Sequence, residues 1–121
     1  MRSVARTVLV VDDSAPFRAT ARALLEARGY VVVGTAADGG QALAAVRALR
    51  PDAVLLDINL PDADGIAVAG RLSGADGPAV VLVSTLDASA MQGAIERSGA
   101  RGFLPKAELT SPHLLELLGP P

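Results

Sequence analysis

The sequence predicts an α/β domain built on a doubly wound parallel sheet. Five short apolar runs recur along the chain: Val8–Val11, Val31–Val33, Ala53–Leu56, Val80–Val83 and Gly102–Leu104. Segments with helical spacing lie between them. Most of the runs are continuous rather than alternating, which is the pattern of strands buried on both faces of a parallel sheet. Strand and helix repeated in this way put helices on both faces, because crossovers between parallel strands are right-handed.

The first run leads into a helix whose apolar residues Phe17, Ala21, Leu24 and Leu25 share one face. Ser14 is its expected N-cap, Pro16 sits in the first turn, and Gly29 ends it. After the second run, Ala42, Leu43, Val46 and Leu49 mark a second helix, closed by Pro51. A short third helix covers Ile66 to Leu72. The fourth, Ala88 to Ser98, is the weakest, because Gly93 and Ser89 lie inside it and Met91 and Ile95 are its only large apolar residues. A glycine there costs about 1 kcal/mol relative to alanine, so this element is expected to be the most mobile. Ser111 and Pro112 introduce a fifth helix carrying Leu114, Leu115, Leu117 and Leu118.

The 121 residues suggest one domain, 1–121, with Gly119 to Pro121 as a flexible tail or the start of a linker. Half the residues are hydrophobic and 20% are charged, enough apolar material for a core. A net charge of −2 and three aromatics (Phe17, Tyr30, Phe103) leave neither a basic footprint nor a stacking platform for direct nucleic-acid binding. Cysteine is absent and His113 is the single histidine, which excludes disulfides, thiolate metal sites and multi-histidine metal sites. His113, beside Pro112 at a helix start, reads as a surface residue. The stretch Met1 to Arg6 has no apolar core of a signal peptide, and no run approaches the ~20 residues of a membrane span. A cytoplasmic protein without membrane contact is expected. Ten of the eleven basic residues are arginine, and Lys106 is the lone lysine. Against that background, Lys106 is a candidate for a place where arginine would not serve.

In open α/β sheets, function gathers at the carboxyl ends of the strands. Asp12 and Asp13 follow the first run, Asp57 and then Asn59 the third, Ser84 and Thr85 the fourth, and Lys106 the fifth. If the first and third strands are neighbours, three carboxylates converge. Two such charges ~4 Å apart repel by roughly 4 kcal/mol at an effective dielectric near 20. A divalent cation relieves that repulsion. With oxygen ligands only, Mg²⁺ is favoured. Carboxylates, a metal, a hydroxyl and a lone ammonium are what a phosphoryl group needs, and one carboxylate can be the nucleophile. Singly, each residue has an ordinary reading as a helix-start carboxylate, a turn former or a solvated charge. Their joint order at successive strand ends is what points to chemistry.

Four stretches carry a family resemblance: Val8-Leu9-Val10-Val11-Asp12-Asp13, Leu55 through Asp57 to Gly65, Val81-Leu82-Val83-Ser84-Thr85, and Gly102-Phe103-Leu104-Pro105-Lys106. From about Thr7 to Leu118, the chain resembles the CheY-like receiver domain of bacterial two-component response regulators. The resemblance implies a flavodoxin-like (βα)5 fold with a five-stranded sheet in the order 2-1-3-4-5. It implies Asp57 as phosphoacceptor. Mg²⁺, or another divalent cation such as Mn²⁺, would be bound by Asp12, Asp13, Asp57 and the backbone carbonyl of Asn59. Ser84 and Lys106 would contact phosphoryl oxygens, and Ser84 and Phe103 would form the switch. Gly65 would permit the turn after the third strand. The implied donor is a sensor histidine kinase or phosphotransfer protein. The implied readout is the face of the fourth helix, last strand and last helix, read by an effector protein or a C-terminal output domain. No enzymatic turnover is expected beyond Mg-dependent self-phosphorylation and slow autodephosphorylation. Asn59 and Leu86 are expected to tune that hydrolysis, the bulk of Leu86 favouring a long-lived phosphate.

The sequence departs from the family pattern in three places. Ala107 stands where a proline commonly follows the lysine through a cis bond, while Pro105 precedes it; residue 84 is Ser rather than Thr; residue 103 is Phe rather than Tyr. Two other classes remain. A phosphatase with an aspartyl-phosphate intermediate, like the haloacid dehalogenase group, would carry an Asp-x-Asp pair after the first strand, whereas Asp12 and Asp13 are adjacent. A phosphorylation-independent interaction module of the same fold would have no use for the complete acidic set and Lys106.

Overall fold

The computed structural model describes residues 5–85 and 87–121. Leu86 and Met1 to Val4 lie outside the described residues, and with them the expectation that Leu86 slows phosphate hydrolysis. In chain order the elements are β1 (Thr7–Val11), α1 (Ala15–Ala27), β2 (Val31–Ala36), α2 (Gly39–Leu49), β3 (Ala53–Asp57), α3 (Gly65–Leu72), β4 (Ala79–Ser84), α4 (Gln92–Arg97), β5 (Gly102–Pro105) and α5 (His113–Leu118). The five strands form one sheet in the order β2-β1-β3-β4-β5, and every neighbouring pair is parallel.

Successive strand residues point to opposite faces, and here both faces are covered. Val8, Val10, Leu55, Val81, Val83 and Leu104 pack with Ala21 and Leu25 of α1 and Leu114 and Leu118 of α5. Leu9, Val11, Val54, Leu56, Val80 and Leu82 pack with Ile66, Val68 and Leu72 of α3, Ala42 of α2 and Ile95 of α4. That explains the continuous apolar runs of β1, β3 and β4. Full burial of each such side chain contributes roughly 1.5–3 kcal/mol. Among the described residues, no helix is long and apolar enough to cross a membrane.

The strand β2 runs further than its apolar residues suggest. It continues through Gly34 and Thr35 to Ala36 because β1 supplies ladder partners for all three. As an edge strand it is only partly covered, and Val31 is 46% exposed. The expected Ser14 cap is present, its hydroxyl accepting the Phe17 amide at 3.3 Å. Two further caps have no counterpart in the sequence reading: the Asp38 carboxylate accepts the Gln41 amide at 2.7 Å, and Asp64 accepts that of Ile66 at 2.9 Å. Gly29 ends α1 with φ +99°, a conformation that glycine adopts freely. Arg50 ends α2 in the left-handed region, just before Pro51.

The fourth helix differs from its sequence span. Its first turn, Ser89–Met91, is 3₁₀, and only Gln92–Arg97 is α-helical. Neither Ala88 nor Met91, the residues that precede the two pieces, caps them with a side chain, although the Asp87 carboxylate accepts the Ser89 amide at 2.9 Å. A second 3₁₀ turn, Lys106–Glu108, follows β5 and precedes α5.

The return from β3 passes through Gly65, whose amide donates to the Ile58 carbonyl at 2.7 Å. A Cβ there would stand 2.1 Å from the Asp57 carbonyl oxygen and 2.6 Å from the Ile58 Cα. Both obstacles are backbone and cannot rotate away. Gly65→Ala is therefore expected to destabilise the fold by at least about 2 kcal/mol in urea denaturation. A loss under about 0.5 kcal/mol, the ordinary range for surface changes, would refute that tight approach.

Candidate functional site

Register brings the strand ends together. Val11 pairs with Leu56, so Asp12 and Asp57 emerge side by side. Asp57 pairs with Val83, and Ser84 pairs with Pro105, which places Ser84 and Lys106 along the same edge. Asp12, Asp57 and Ser84 are the buried polar residues of the described chain, at 0%, 4% and 1% exposure. The Lys106 ammonium lies 2.6 Å from Asp12 Oδ2 and 3.3 Å from Asp57 Oδ2. The other oxygen of each carboxylate accepts a backbone amide: Ser14 to Asp12 Oδ1 at 2.9 Å and Asn59 to Asp57 Oδ1 at 3.0 Å. The Asn59 side-chain amide donates to the Ser84 hydroxyl at 3.4 Å.

Oxygen atoms of Asp12, Asp13 and Asp57 all lie within 4.8 Å of one another, with Asp13 exposed at the mouth. Three carboxylates face one ammonium, so a net negative charge remains when all are ionised. An all-oxygen donor set carrying that charge fits a hard divalent cation such as Mg²⁺. Asp12, Asp13 and Asp57 would hold it, and Asn59 lies close enough in sequence to Asp57 to offer its backbone carbonyl.

Burial pushes the Asp57 carboxyl above its ordinary range. The Asn59 amide opposes that shift, the Asp12 charge adds to it, and Lys106 opposes it. For Lys106, burial alone would weaken the ammonium, but its hydrogen bond and attraction to Asp12, then Asp57, carry the pKa above the usual lysine value.

Six of the residues singled out in the sequence thus meet at one edge: Asp12, Asp13, Asp57, Asn59, Ser84 and Lys106. Phe103 stands apart from them, half-buried beside α4, where it lines a groove of about 400 Å³ with Ala88, Gln92 and Ile95. His113 is exposed, its ring 3.1 Å from Glu116. The described residues contain no cis peptide bond; Ala107 instead continues the 3₁₀ turn that Lys106 opens.

Two neighbours of the site are not evident from the sequence. The Arg18 guanidinium donates to the Asp12 carbonyl at 2.7 Å, and the Phe17 ring lies 4.3 Å from the Lys106 ammonium. By its spacing Phe17 is only an apolar helix position.

This geometry has relatives. Residues 8–118 match the response regulator receiver domain, and the chain belongs to that family. Among solved structures, the chemotaxis response regulator CheY4 of Vibrio cholerae superposes with a TM-score of 0.83 at 28% identity, covering 95% of this chain and all 100% of that one. The response regulator domain of Thermotoga maritima CheB gives 0.82 at 30% identity, covering 93% and 92%. A protein-glutamate methylesterase/protein-glutamine glutaminase of Anaeromyxobacter dehalogenans is 42% identical over 106 residues, 86% of this chain but 31% of that protein. A transcriptional regulator of Pseudomonas aeruginosa is 38% identical over 109 residues, 89% of this chain and 53% of that protein. The chain therefore spans between about a third and about half the length of these curated relatives. Fold and site fit two-component signalling.

The raised pKa of Asp57 has a consequence for stability. Its ionised form costs free energy in the folded state; the cost is absent below the unfolded carboxyl pKa and grows as pH rises through the folded one. In metal-free buffer at pH 7, Asp57→Asn is expected to melt a few degrees above wild type. That advantage should shrink as pH falls toward the ordinary carboxyl range near ~4. Calorimetry across that pH range checks it, and an advantage independent of pH would contradict the assignment.

Proposed function

We propose that this receiver domain is phosphorylated on Asp57 by a sensor histidine kinase or phosphotransfer protein, in a Mg²⁺-dependent reaction. One observation carries the reading: the buried Asp57 carboxylate meets the chain's lone lysine ammonium at 3.3 Å, beside two further carboxylates. A carboxylate oxygen of Asp57 attacks phosphorus, the bond from phosphorus to the donor imidazole nitrogen breaks, and the nitrogen keeps the electron pair. The product is an acyl phosphate. Lys106 neutralises one phosphoryl oxygen and the Ser84 hydroxyl donates to another. Asp12, Asp13, Asp57 and the Asn59 carbonyl would hold the divalent cation, which would neutralise charge on the group being transferred. The Asn59 and Ser14 amides keep the two inner carboxylates aimed while the pairing to Lys106 changes.

Engaging Ser84 draws the end of β4 toward the phosphate. Contacts formed only in the phosphorylated state shift an existing equilibrium. Phe103, half-buried beside an open groove, turns inward as Ser84 moves. The changed face comprises α4, β5 and α5, read by an effector protein or by an output domain elsewhere in a longer chain. The domain performs no turnover beyond its own phosphorylation and slow dephosphorylation, and it works in the cytoplasm.

Intact mass after incubation with Mg²⁺ and acetyl phosphate is the test. A single phosphoryl gain is expected, absent in Asp57→Asn and with a chelator. Lys106→Ala should slow it about 10²-fold, the usual effect of deleting one charge-stabilising donor. No gain, together with no shift in stability or association under beryllofluoride, would overturn phosphorylation in favour of a phosphorylation-independent interaction module.

A further inference from the structure

The lone lysine is held from two sides, and only one of them is acidic. Asp12 and Asp57 face its ammonium from the strand ends. On the other side lies a cleft of about 450 Å³ whose walls include Pro16, Phe17, Leu24, Ala107 and Leu109. Among the described residues, Lys106 is the one charged residue lining that cleft. Its other polar groups are the hydroxyls of Thr20, Thr85 and Thr110, and the Phe17 ring face, its centroid 4.3 Å from the ammonium, is the one aromatic surface turned to Lys106 there. A cation over a ring face within about 6 Å is attracted by the ring quadrupole, more strongly when desolvated. Here the Lys106 side chain is only 15% exposed.

Lys106 also needs such support. It opens a 3₁₀ turn rather than sitting within β5, and its flexible stem has several rotamers to choose from. Phe17, by contrast, is anchored. Its amide is held by the Ser14 cap, and Ser14 in turn donates its own amide to Asp12. The next residue, Arg18, holds the Asp12 carbonyl. The half-buried ring packs against the α1 and α5 side of the core. Carboxylate, cap and ring are thus one linked unit at the start of α1.

We propose that Phe17 is a positioning residue for phosphoryl acceptance, its ring face holding the Lys106 ammonium at the mouth of the site. The inference rests on the function proposed above for Asp57 and adds a residue to it. Without the ring, the ammonium would swing toward solvent on its apolar side, and fewer encounters with a donor would find it in place.

The test uses the full chain and variants that separate bulk from ring face: Phe17→Leu and Phe17→Met keep apolar volume, and Phe17→Tyr keeps the ring. Because the sequence has one lysine, ¹³Cε-lysine labelling reports Lys106 alone. In the unphosphorylated protein without donor, the Lys106 ε-methylene protons should be shifted upfield by ring current in wild type and Phe17→Tyr. They should return to ordinary lysine positions in Phe17→Leu and Phe17→Met. With Mg²⁺ and acetyl phosphate, Phe17→Leu should slow phosphorylation by roughly fivefold to tenfold. Phe17→Tyr should restore the rate to within about twofold, the ring face being retained. Loss of the ring-current shift with an unchanged rate would overturn the positioning role. Absence of that shift in wild type would overturn the contact itself. Equal slowing in Tyr and Leu would assign the effect to packing and overturn the ring-face account. If wild type accepts no phosphoryl group while the shift is present, the proposed function fails but Phe17 still holds Lys106. Should Phe17→Leu fail to fold, Phe17→Met gives the same comparison.

Discussion

The site depends on one constraint: β1 and β3 lie side by side, so two buried carboxylates end at the same height on the sheet. Asp12 and Asp57 would repel strongly in that setting. Lys106 answers both, at 2.6 Å and 3.3 Å. A buried ion pair seldom adds net stability; losing Asp57 still leaves Lys106 paired with Asp12, whereas losing Lys106 would leave two buried carboxylates uncompensated at a cost of about 3–5 kcal/mol. The arrangement is best understood as stored charge. It is held in place by a core that does not need it, and it is open on the side where Asp13 sits exposed.

That core explains how the charge can be stored. β1, β3 and β4 are sealed on both faces, and a parallel ladder gives each strand end a defined height. Side chains at the carboxyl edge then inherit positions from the register rather than from their own rotamers. Asp57 and Ser84 are carried directly by strands, and Asp12 follows one immediately. Lys106 is not, because the chain has already entered a 3₁₀ turn. The one long, flexible member of the site therefore depends on neighbours for its position: two carboxylates and the Phe17 ring.

A similar division runs across the sheet. The α1 and α5 side is closed over by Leu25, Leu114 and Leu118. On the other side, α4 is a short helix without a side-chain cap, and Phe103 lies half-buried beside it along an open groove. Strands sealed on both faces carry the acceptor, while a six-residue helix borders the candidate switch residue.

Much of this was readable in the residues themselves. Continuous apolar runs require burial on both faces, and five of them alternating with helical segments leave a doubly wound parallel sheet as the natural solution. Ser14 and Gly29 mark the ends of α1 because capping and left-handed backbone are local requirements. The site residues stood out because Asp12 and Asp13, Asp57, Ser84 and Lys106 come just after successive apolar runs. Only the tertiary structure decided what depends on neighbours. The extension of β2 to Ala36 came from ladder partners on β1, which no property of Gly34 or Thr35 announces. The fourth helix opens with a 3₁₀ turn, Ser89–Met91, which its side-chain spacing does not announce. Phe17, a plain core position by its spacing, became the partner of Lys106 because the fold brings the start of α1 against the turn after β5. Those two segments stand near opposite ends of the chain, and periodicity reports only on residues a few positions apart.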